Sequence, residues 1–475
     1  MGVTENSPIY QPEQKERSRV TRSENPLLSA LSYDPSSTEG FAAAVNEATI
    51  AFGGQTIKPP SYDQFQVTKN GGAEMFSIVK IPYGSLSSDQ VASLTNQRRN
   101  LSQSTYIVDG SRDVITTDSS YRLHKPGYYV KKNGSFLKRG ERGGELEIHS
   151  TEETPEAELA YDAAICVLII SGKLDISSQE AVAESLPFRR KLFIDIYHRM
   201  LEDLIPPVSR DGIYGLDEQI EDIEENLYGP LRDKNGKPMN TLSVGAPGVG
   251  KSLVTRLFAF DQDVLTIPTS VNNVDNKSIF DYHVLPRIVR LKNALDLPVV
   301  LALEDVEILL EEGISVDEHG KMSQQIDPAK RSRALSLFER LQDTHGIYLL
   351  CNLNHPDVDA AFLRRLNPVY FPLPSQDQRR IAIQGLIPVA PFGEDKHREV
   401  VEDLVARTDG FNYSGLSLIP EYVHNLLRKK EDIDPETYKR AIDRGFIKAA
   451  QRTSLQKLKE FDAAARNMIS EESSE

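Results

Sequence analysis

The chain has 475 residues, 39% of them hydrophobic and 26% charged, which is an ordinary globular balance with room for about three domains. Its formal net charge of −15 disfavours nonspecific nucleic-acid binding, although a basic pore inside an acidic ring remains compatible with it. With only two cysteines, Cys166 and Cys351, the composition indicates neither a disulfide framework nor a zinc site.

No stretch of the chain has the length of apolar sequence that crossing a bilayer requires. The longest apolar run covers only residues 163–171. The N-terminus is polar and lacks the apolar core of a signal peptide. We therefore expect a cytoplasmic protein without membrane insertion.

The first part of the chain predicts an arm followed by a mixed domain. Residues 1–40 are polar with scattered charges and are predicted to be disordered. Short strand-like runs separated by Gly, Asn, Asp and Ser clusters follow between about 60 and 150, and helical periodicity then extends to about 204. Pro206 and Pro207 interrupt the helix. Residues 41–205 are therefore predicted to form an α+β N-terminal domain.

The second part alternates short apolar strands with helical stretches. This alternation is typical of an α/β domain in which helices cover both faces of a parallel sheet. The five candidate strands are residues 241–244, 264–267, 298–303, 347–350 and 369–371. We predict a five-stranded parallel sheet within residues 206–374, a small helical lid over 375–460 and an acidic tail over 461–475.

A phosphate-binding motif lies between the first of these strands and the helix that follows. Residues 245–252 read Gly-Ala-Pro-Gly-Val-Gly-Lys-Ser and fit G-x-x-x-x-G-K-[ST] at every position. The glycines let backbone N–H groups turn toward phosphate oxygens, Lys251 reaches the β- and γ-phosphates, and the Ser252 hydroxyl ligates Mg²⁺. The sequence thus predicts binding of ATP and Mg²⁺. The predicted contacts in this segment are Gly245, Ala246, Pro247, Gly248, Val249, Gly250, Lys251, Ser252 and Leu253.

An apolar strand that ends in two acids follows the phosphate-binding motif. Residues 298–303 lead directly into Glu304 and Asp305. In such a pair one carboxylate holds the Mg²⁺ shell and its neighbour polarises the attacking water. The two acids are therefore the candidate metal-site and catalytic carboxylates.

From residue 211 to about 450, about half of the chain, the sequence resembles the AAA family of P-loop ATPases. Five further segments match that family in the same order along the chain. Residues 213–216 resemble the opening segment that contacts adenine, 347–357 the sensor-1 strand with its TNRPD stretch, 359–366 the LDPALLRR segment, 371–375 the strand into the lid, and 408–415 the lid helix that starts TEGFSGADL.

The resemblance implies a nucleotide site shared between domains and subunits. Tyr214 and Gly215 would contact the base through the backbone, and Gly415 would contact the nucleotide from the lid. No second P-loop motif occurs in the sequence, so each subunit would supply one ATPase module. By resemblance the chain would work as a homo-oligomeric ring, with a hexamer as the expected size.

Three polar residues after the sheet are assigned catalytic roles by the same resemblance. Asn354 would be the sensor-1 residue that contacts the γ-phosphate and the attacking water. Arg364 and Arg365 would be arginine fingers that stabilise charge on the γ-phosphate. The alternatives are an Asx turn for Asn354 and a solvated helix end for the two arginines.

The acid pair departs from the family, which has Asp-Glu where this chain has Glu304-Asp305. The register assigns Glu304 to the metal position and Asp305 to the position of the catalytic base. Because Asp is one methylene shorter than Glu, hydrolysis could be slow. Glu307 is an alternative base, since it would point the same way from an extended strand.

The most favoured hypothesis is an AAA ATPase that remodels a protein partner recognised by residues 41–205. Phe280 and Tyr282 fall where the family has a pore-loop aromatic, and either grip a polypeptide or pack on the next helix. The absence of H-E-x-x-H excludes the family's membrane proteases. The alternatives are a nucleic-acid loader, for which a basic pore segment is lacking, and a weakly hydrolysing ATP-dependent scaffold.

Overall fold

The structure is a computed structural model, and it divides the chain into two compact units. These units are residues 1–204 with 293–296, and residues 205–292 with 297–475. The predicted disordered arm lies outside the described residues except for its last three, which begin a helix. The described residues are 38–54, 60–69, 72–83, 86–90, 92–94, 106–108, 127–130, 144–151, 156–202, 204–270, 285–304, 306, 312–316, 322–326, 335–336, 338–354, 365–387, 393–428 and 434–472.

The first unit combines a mixed sheet with helices. Its elements are α1 Thr38–Ala51, β1 Ser61–Lys69, β2 Gly72–Tyr83, β3 Tyr106–Val108, β4 Gly127–Val130, β5 Gly144–Thr151, α2 Glu156–Ile170, α3 Gln179–Glu184 and α4 Leu186–Glu202. The strands lie in the order β1-β2-β5-β4-β3, and only β3 and β4 pair in parallel. The unit is α+β, but helix α1 precedes the strands, so the predicted order of strands followed by helices holds only from β1 onward.

Helix α2 forms the core of the first unit. Its residues from Ala163 to Ile169 are completely buried, because a helix that is apolar around its whole circumference needs neighbours on every side. It packs against β2, β5, α1 and α4. The apolar run that is too short for a bilayer is therefore the central helix of a globular core.

A five-stranded parallel sheet organises the second unit, as predicted. The strands are β6 Thr241–Gly245, β7 Leu265–Ser270, β8 Val299–Glu304, β11 Ile347–Leu353 and β12 Asn367–Phe371. Their order is β12-β6-β11-β8-β7, and every neighbouring pair is parallel. Residues Val299 to Leu303 are completely buried, which explains why β8 reads as an unbroken apolar run.

Helices and one hairpin connect these strands. The helices are α5 Asp217–Ile223, α6 Gly229–Asp233, α7 Lys251–Ala259 and α8 Leu285–Leu295, with a π-helical segment at Glu224–Tyr228 between α5 and α6 and another at Arg340–Thr344. An antiparallel hairpin of β9 Glu312–Val316 and β10 Met322–Ile326 lies between β8 and β11 in the chain. The sequence did not predict it, because its Gly, Ser and Gln residues give a weak strand pattern.

The predicted helical lid follows the sheet. It contains α9 Gln376–Leu386, α10 Glu394–Arg407, α11 Tyr413–Leu427 and α12 Pro435–Arg452. Ser375 and Gln378 form a capping box that starts α9. The lid has its own apolar core, in which Val401, Leu404 and Phe411 are at most 1% exposed.

The predicted acidic tail from residue 461 is wrong, because these residues belong to helix α13, Leu455–Glu472. Leu458 joins the apolar core of the large domain and Phe461 packs against it. Asp462 Oδ1 accepts hydrogen bonds from the Tyr370 hydroxyl at 2.6 Å and from the Leu373 N–H at 2.9 Å. One carboxylate thus ties α13 to the end of β12 and to the first residues that lead into the lid.

Candidate nucleotide-binding site

The phosphate-binding motif forms the turn between β6 and α7, where backbone conformation demands glycine. Gly248 and Gly250 have φ angles of +78° and +101°, which side chains with a Cβ rarely adopt. A Cβ on Gly248 would also lie 2.5 Å from Asn412 Nδ2, and one on Gly245 would clash with the Phe371 carbonyl. The glycines of the motif therefore permit both the turn and the close approach of neighbouring chain segments.

Lys251 is held inside this turn. It is 4% exposed, and its ammonium donates hydrogen bonds to the Gly245 carbonyl at 2.6 Å and the Ala246 carbonyl at 3.0 Å. It is also the first residue of α7, whose N-terminus favours anions. A buried ammonium at a helix N-terminus is suited to phosphate.

Ser252 and Glu304 meet beside the turn. The Ser252 hydroxyl donates to Glu304 Oε2 at 2.9 Å. Ser252 is exposed and Glu304, the last residue of β8, is half-buried. Mg²⁺ takes oxygen ligands, including hydroxyls and carboxylates. This donor set therefore fits the predicted metal position, where the ion would neutralise phosphate charge.

Asn352 belongs to the same cluster, although none of the sequence motifs assigns it a role. Its Nδ2 donates to Glu304 Oε1 at 2.9 Å and to Thr255 Oγ1 at 2.9 Å. The side chain is 1% exposed, and its Oδ1 is buried without a hydrogen-bond partner. A polar residue between Cys351 and Leu353 in a strand predicted to be buried was the available signal.

Of the residues predicted to be catalytic, the structure describes Glu304, Asn354 and Arg365. Asn354 is half-buried and directly follows β11. Asp305, Glu307 and Arg364 lie outside the described residues, as do Phe280 and Tyr282 of the predicted pore loop.

Arg365, the second predicted finger, has a partner within its own chain. Its Nη2 lies 2.6 Å from Glu339 Oε1, and its Nε donates to the same oxygen at 2.7 Å. Both side chains are partly exposed, with 36% and 50% of their surface accessible. Action on a neighbouring subunit would require Arg365 to leave this ion pair, a small cost for an exposed pair.

The lid contacts the phosphate-binding turn through residues that start α11. Asn412 Nδ2 donates to the Pro247 carbonyl at 2.6 Å, and the Ser414 N–H donates to the Gly248 carbonyl at 3.1 Å. Asn412 is also the N-cap of α11, and its Oδ1 accepts from the Gly415 N–H. Gly415 is thus occupied in capping, while Asn412 and Ser414 touch the turn.

The predicted base-contacting segment is also held by the lid. The Gly215 carbonyl accepts hydrogen bonds from Gln378 Nε2 at 2.7 Å and from the Tyr413 hydroxyl at 3.3 Å. Burial, with a smaller contribution from the charge of Asp217, raises the pKa of Tyr413, so its phenol remains a protonated donor. Tyr214 packs so closely on Gly385 of α9 that a side chain there would clash.

Comparison with known proteins finds distant relatives. No protein-family model matches the chain. Curated relatives include the proteasome-activating nucleotidase of Methanothermobacter thermautotrophicus, 25% identical over 226 residues, which are 45% of this chain and 53% of that protein. Spastin of Dictyostelium discoideum is 24% identical over 240 residues, or 48% of this chain and 35% of spastin. The chain thus spans about half or less of the length of these two relatives.

A further relative and a solved structure complete the comparison. The cell division cycle protein 48 homologue of Archaeoglobus fulgidus is 20% identical over 263 residues, which are 52% of this chain and 35% of that protein. A katanin structure, solved in a study of katanin self-assembly, matches with a TM-score of 0.38 and 20% identity over 54% of this chain and 91% of its own. The curated relatives are AAA ATPases, which supports the predicted family.

Among the described residues, no helix combines the length and the apolar character that spanning a membrane requires.

Replacing Lys251 tests the phosphate-binding assignment. We expect Lys251→Ala to weaken ATP binding by at least about 100-fold, or about 2.7 kcal/mol, because the charge-assisted bonds to the phosphates are lost. Isothermal titration calorimetry measures the affinity. The matched control is Lys237→Ala, which removes an exposed lysine from the loop before β6 and should leave the affinity unchanged. Equal affinities for the two variants would contradict the assignment.

Proposed function

We propose that this chain, a member of the AAA family of P-loop ATPases, binds ATP with Mg²⁺ and hydrolyses it to remodel a protein partner as a ring-shaped oligomer. One observation carries the proposal. The Lys251 ammonium is buried in the turn that follows β6, and the Ser252 hydroxyl next to it in the chain donates to the Glu304 carboxylate at the end of β8, which together supply groups suited to a nucleotide with its metal.

The nucleotide would occupy the cleft between this edge and the lid. The turn of residues 245–250 and the N-terminus of α7 would hold the phosphates. Gly215 and the start of α11 would meet the base and ribose, where Gln378 and Tyr413 now donate to the Gly215 carbonyl. Because the lid contacts both segments, nucleotide binding would directly change the hydrogen bonds that the lid makes with them.

Hydrolysis requires a base for the attacking water, and two carboxylates compete for that role. We propose Asp305, next to the metal-side acid Glu304, with Asn354 orienting the water. Glu307 is the alternative, since it lies two residues further along.

Two single substitutions decide between these carboxylates. We expect Asp305→Asn to leave ATP bound but unhydrolysed, and Glu307→Gln to leave hydrolysis largely intact, in single-turnover assays with radiolabelled ATP. Asp305→Glu should raise the rate, by up to about 100-fold, if the shorter acid holds the water too far away. Loss of hydrolysis in Glu307→Gln alone would move the metal position to Asp305.

The arginine fingers would make each site depend on a neighbouring subunit. Arg365 pairs with Glu339 in its own chain, so we assign the role across the subunit boundary first to Arg364. Its guanidinium would stabilise charge on the γ-phosphate bound by the next subunit.

A mixing experiment tests this dependence. Lys251→Ala subunits keep their arginines but lose their phosphate site, whereas Arg364→Ala subunits keep the phosphate site but lose the arginine. We expect each variant alone to be inactive and an equimolar mixture to regain part of the hydrolysis rate. An inactive mixture, under conditions in which light scattering shows mixed oligomers, would exclude a shared site.

The partner would be recognised by the first unit, which carries none of the nucleotide-binding motifs. One relative is named as an activator of the proteasome, which supports a protein partner for this chain as well. The alternatives of a nucleic-acid loader and a weakly hydrolysing scaffold predict different responses of the ATPase.

Steady-state ATP turnover separates these functions when it is measured alone, with an unfolded protein and with single-stranded DNA. We expect an unfolded model protein to stimulate hydrolysis and single-stranded DNA to have no effect, since the chain has a net charge of −15. A variant without residues 1–204 should keep the basal rate and lose the stimulation. Stimulation by DNA alone would favour a loader, and a slow rate unaffected by either would favour a scaffold.

A further inference from the structure

The buried amide of Asn352 lies between the metal-side acid and helix α7. Its Nδ2 donates to Glu304 Oε1 and to Thr255 Oγ1, both at 2.9 Å. Thr255 is 3% exposed and stands one turn after Ser252 on α7. We propose that Asn352 is a positioning residue that fixes the Glu304 carboxylate for the metal, an inference that rests on the proposed Mg²⁺–ATP site.

The orientation of the amide follows from its partners. A carboxylate only accepts hydrogen bonds, so the amide must face Glu304 with its NH₂ group, and both hydrogens of that group are then used. The opposite oxygen, Asn352 Oδ1, is buried without a hydrogen-bond partner. Buried polar atoms without partners are rare and unfavourable. Stability alone therefore gives no reason for an amide at this position, where an apolar side chain would pack without that cost.

The pairing register of β11 with β8 places the Asn352 amide beside the Glu304 carboxylate. Strand β11 pairs with β8 as far as Cys351 and Leu303, so Asn352 and Glu304 each follow the last pair. Both oxygens of the Glu304 carboxylate have a donor, with Ser252 on Oε2 and Asn352 on Oε1. The carboxylate is thereby held from two sides before any metal binds.

A glutamate at the metal position, in place of an aspartate, gains more from a residue that fixes its carboxylate. A glutamate has one more rotatable bond than an aspartate, so it loses more freedom when it is fixed in one orientation. A hydrogen bond from the rigid, buried strand β11 removes that freedom in advance. Residues that orient metal ligands typically change metal affinity by about 10–100-fold. Asn352 would therefore affect the metal and leave the metal-independent part of nucleotide binding unchanged.

Titrations in Mg²⁺ and in EDTA separate metal-dependent from metal-independent nucleotide binding. For the Asn352→Leu variant we expect the Mg²⁺ concentration that half-saturates binding of a non-hydrolysable ATP analogue to rise by about 10–100-fold. The affinity for the same analogue in EDTA should stay within about twofold of the parent. Fluorescence titration of the full-length protein gives both values. If the parent protein binds the analogue neither in EDTA nor in Mg²⁺, the proposed function is contradicted. A failure of the Asn352 proposal alone would leave binding by the parent intact.

A second buried asparagine provides the matched control. Asn240 is 3% exposed, its amide donates to Gln342 Oε1, and its Oδ1 accepts from the Leu349 N–H. It precedes β6, at the end of the sheet away from the turn. Asn240→Leu should lower the melting temperature without changing the Mg²⁺ requirement. Equal Mg²⁺ requirements for both variants and the parent would reduce Asn352 to a packing role.

A double-mutant cycle with Glu304→Asp shows whether Asn352 acts through this acid. The shortened side chain would no longer reach the amide, so Asn352→Leu should have a smaller effect on the Mg²⁺ requirement in that background. An unchanged effect would overturn the proposal. If Asn352→Leu does not fold, Asn352→Ser gives the same comparison, since its shorter side chain also loses the contact with Glu304.

Discussion

The parallel pairing of β11 with both β6 and β8 brings three distant chain segments to one edge of the sheet. Leu350 lies beside Thr241 on one side and Ala302 on the other, so the carboxyl ends of the three strands emerge together. The phosphate-binding turn, the metal-side acid and the polar residues that end β11 are therefore neighbours by register. A shift of one residue in β11 would turn Asn352 to the opposite face of the sheet.

Local patterns were sufficient to predict the turn between β6 and α7 and the acid that ends β8. The turn of residues 245–252 and the acid that ends β8 are short motifs whose spacing encodes their chemistry. The hydrogen bonds of Asn352 were not predictable, because they depend on which strands are neighbours. The N-cap of α11 was not predictable either, because Asn412 and Ser414 are both good capping residues and only backbone geometry distinguishes them.

The parallel strands were predictable from sequence, whereas helix α13 was not. The five parallel strands are apolar runs, which any chain that buries both faces of a sheet must have. Helix α13 is charged along most of its length and buries only a narrow face around Leu458, so its composition resembles that of a tail. The acids that gave it that appearance include Asp462, which has a structural role in the contact with β12.

Asp462 also has a geometric consequence for the lid. The chain leaves the large domain through Leu373 and comes back to it through α13, and the two passages meet where the Leu373 N–H donates to Asp462. A lid with two covalent connections would ordinarily be restrained at two separate places. Here both connections converge on one carboxylate, so the outgoing and returning segments of the lid are joined to each other at their base.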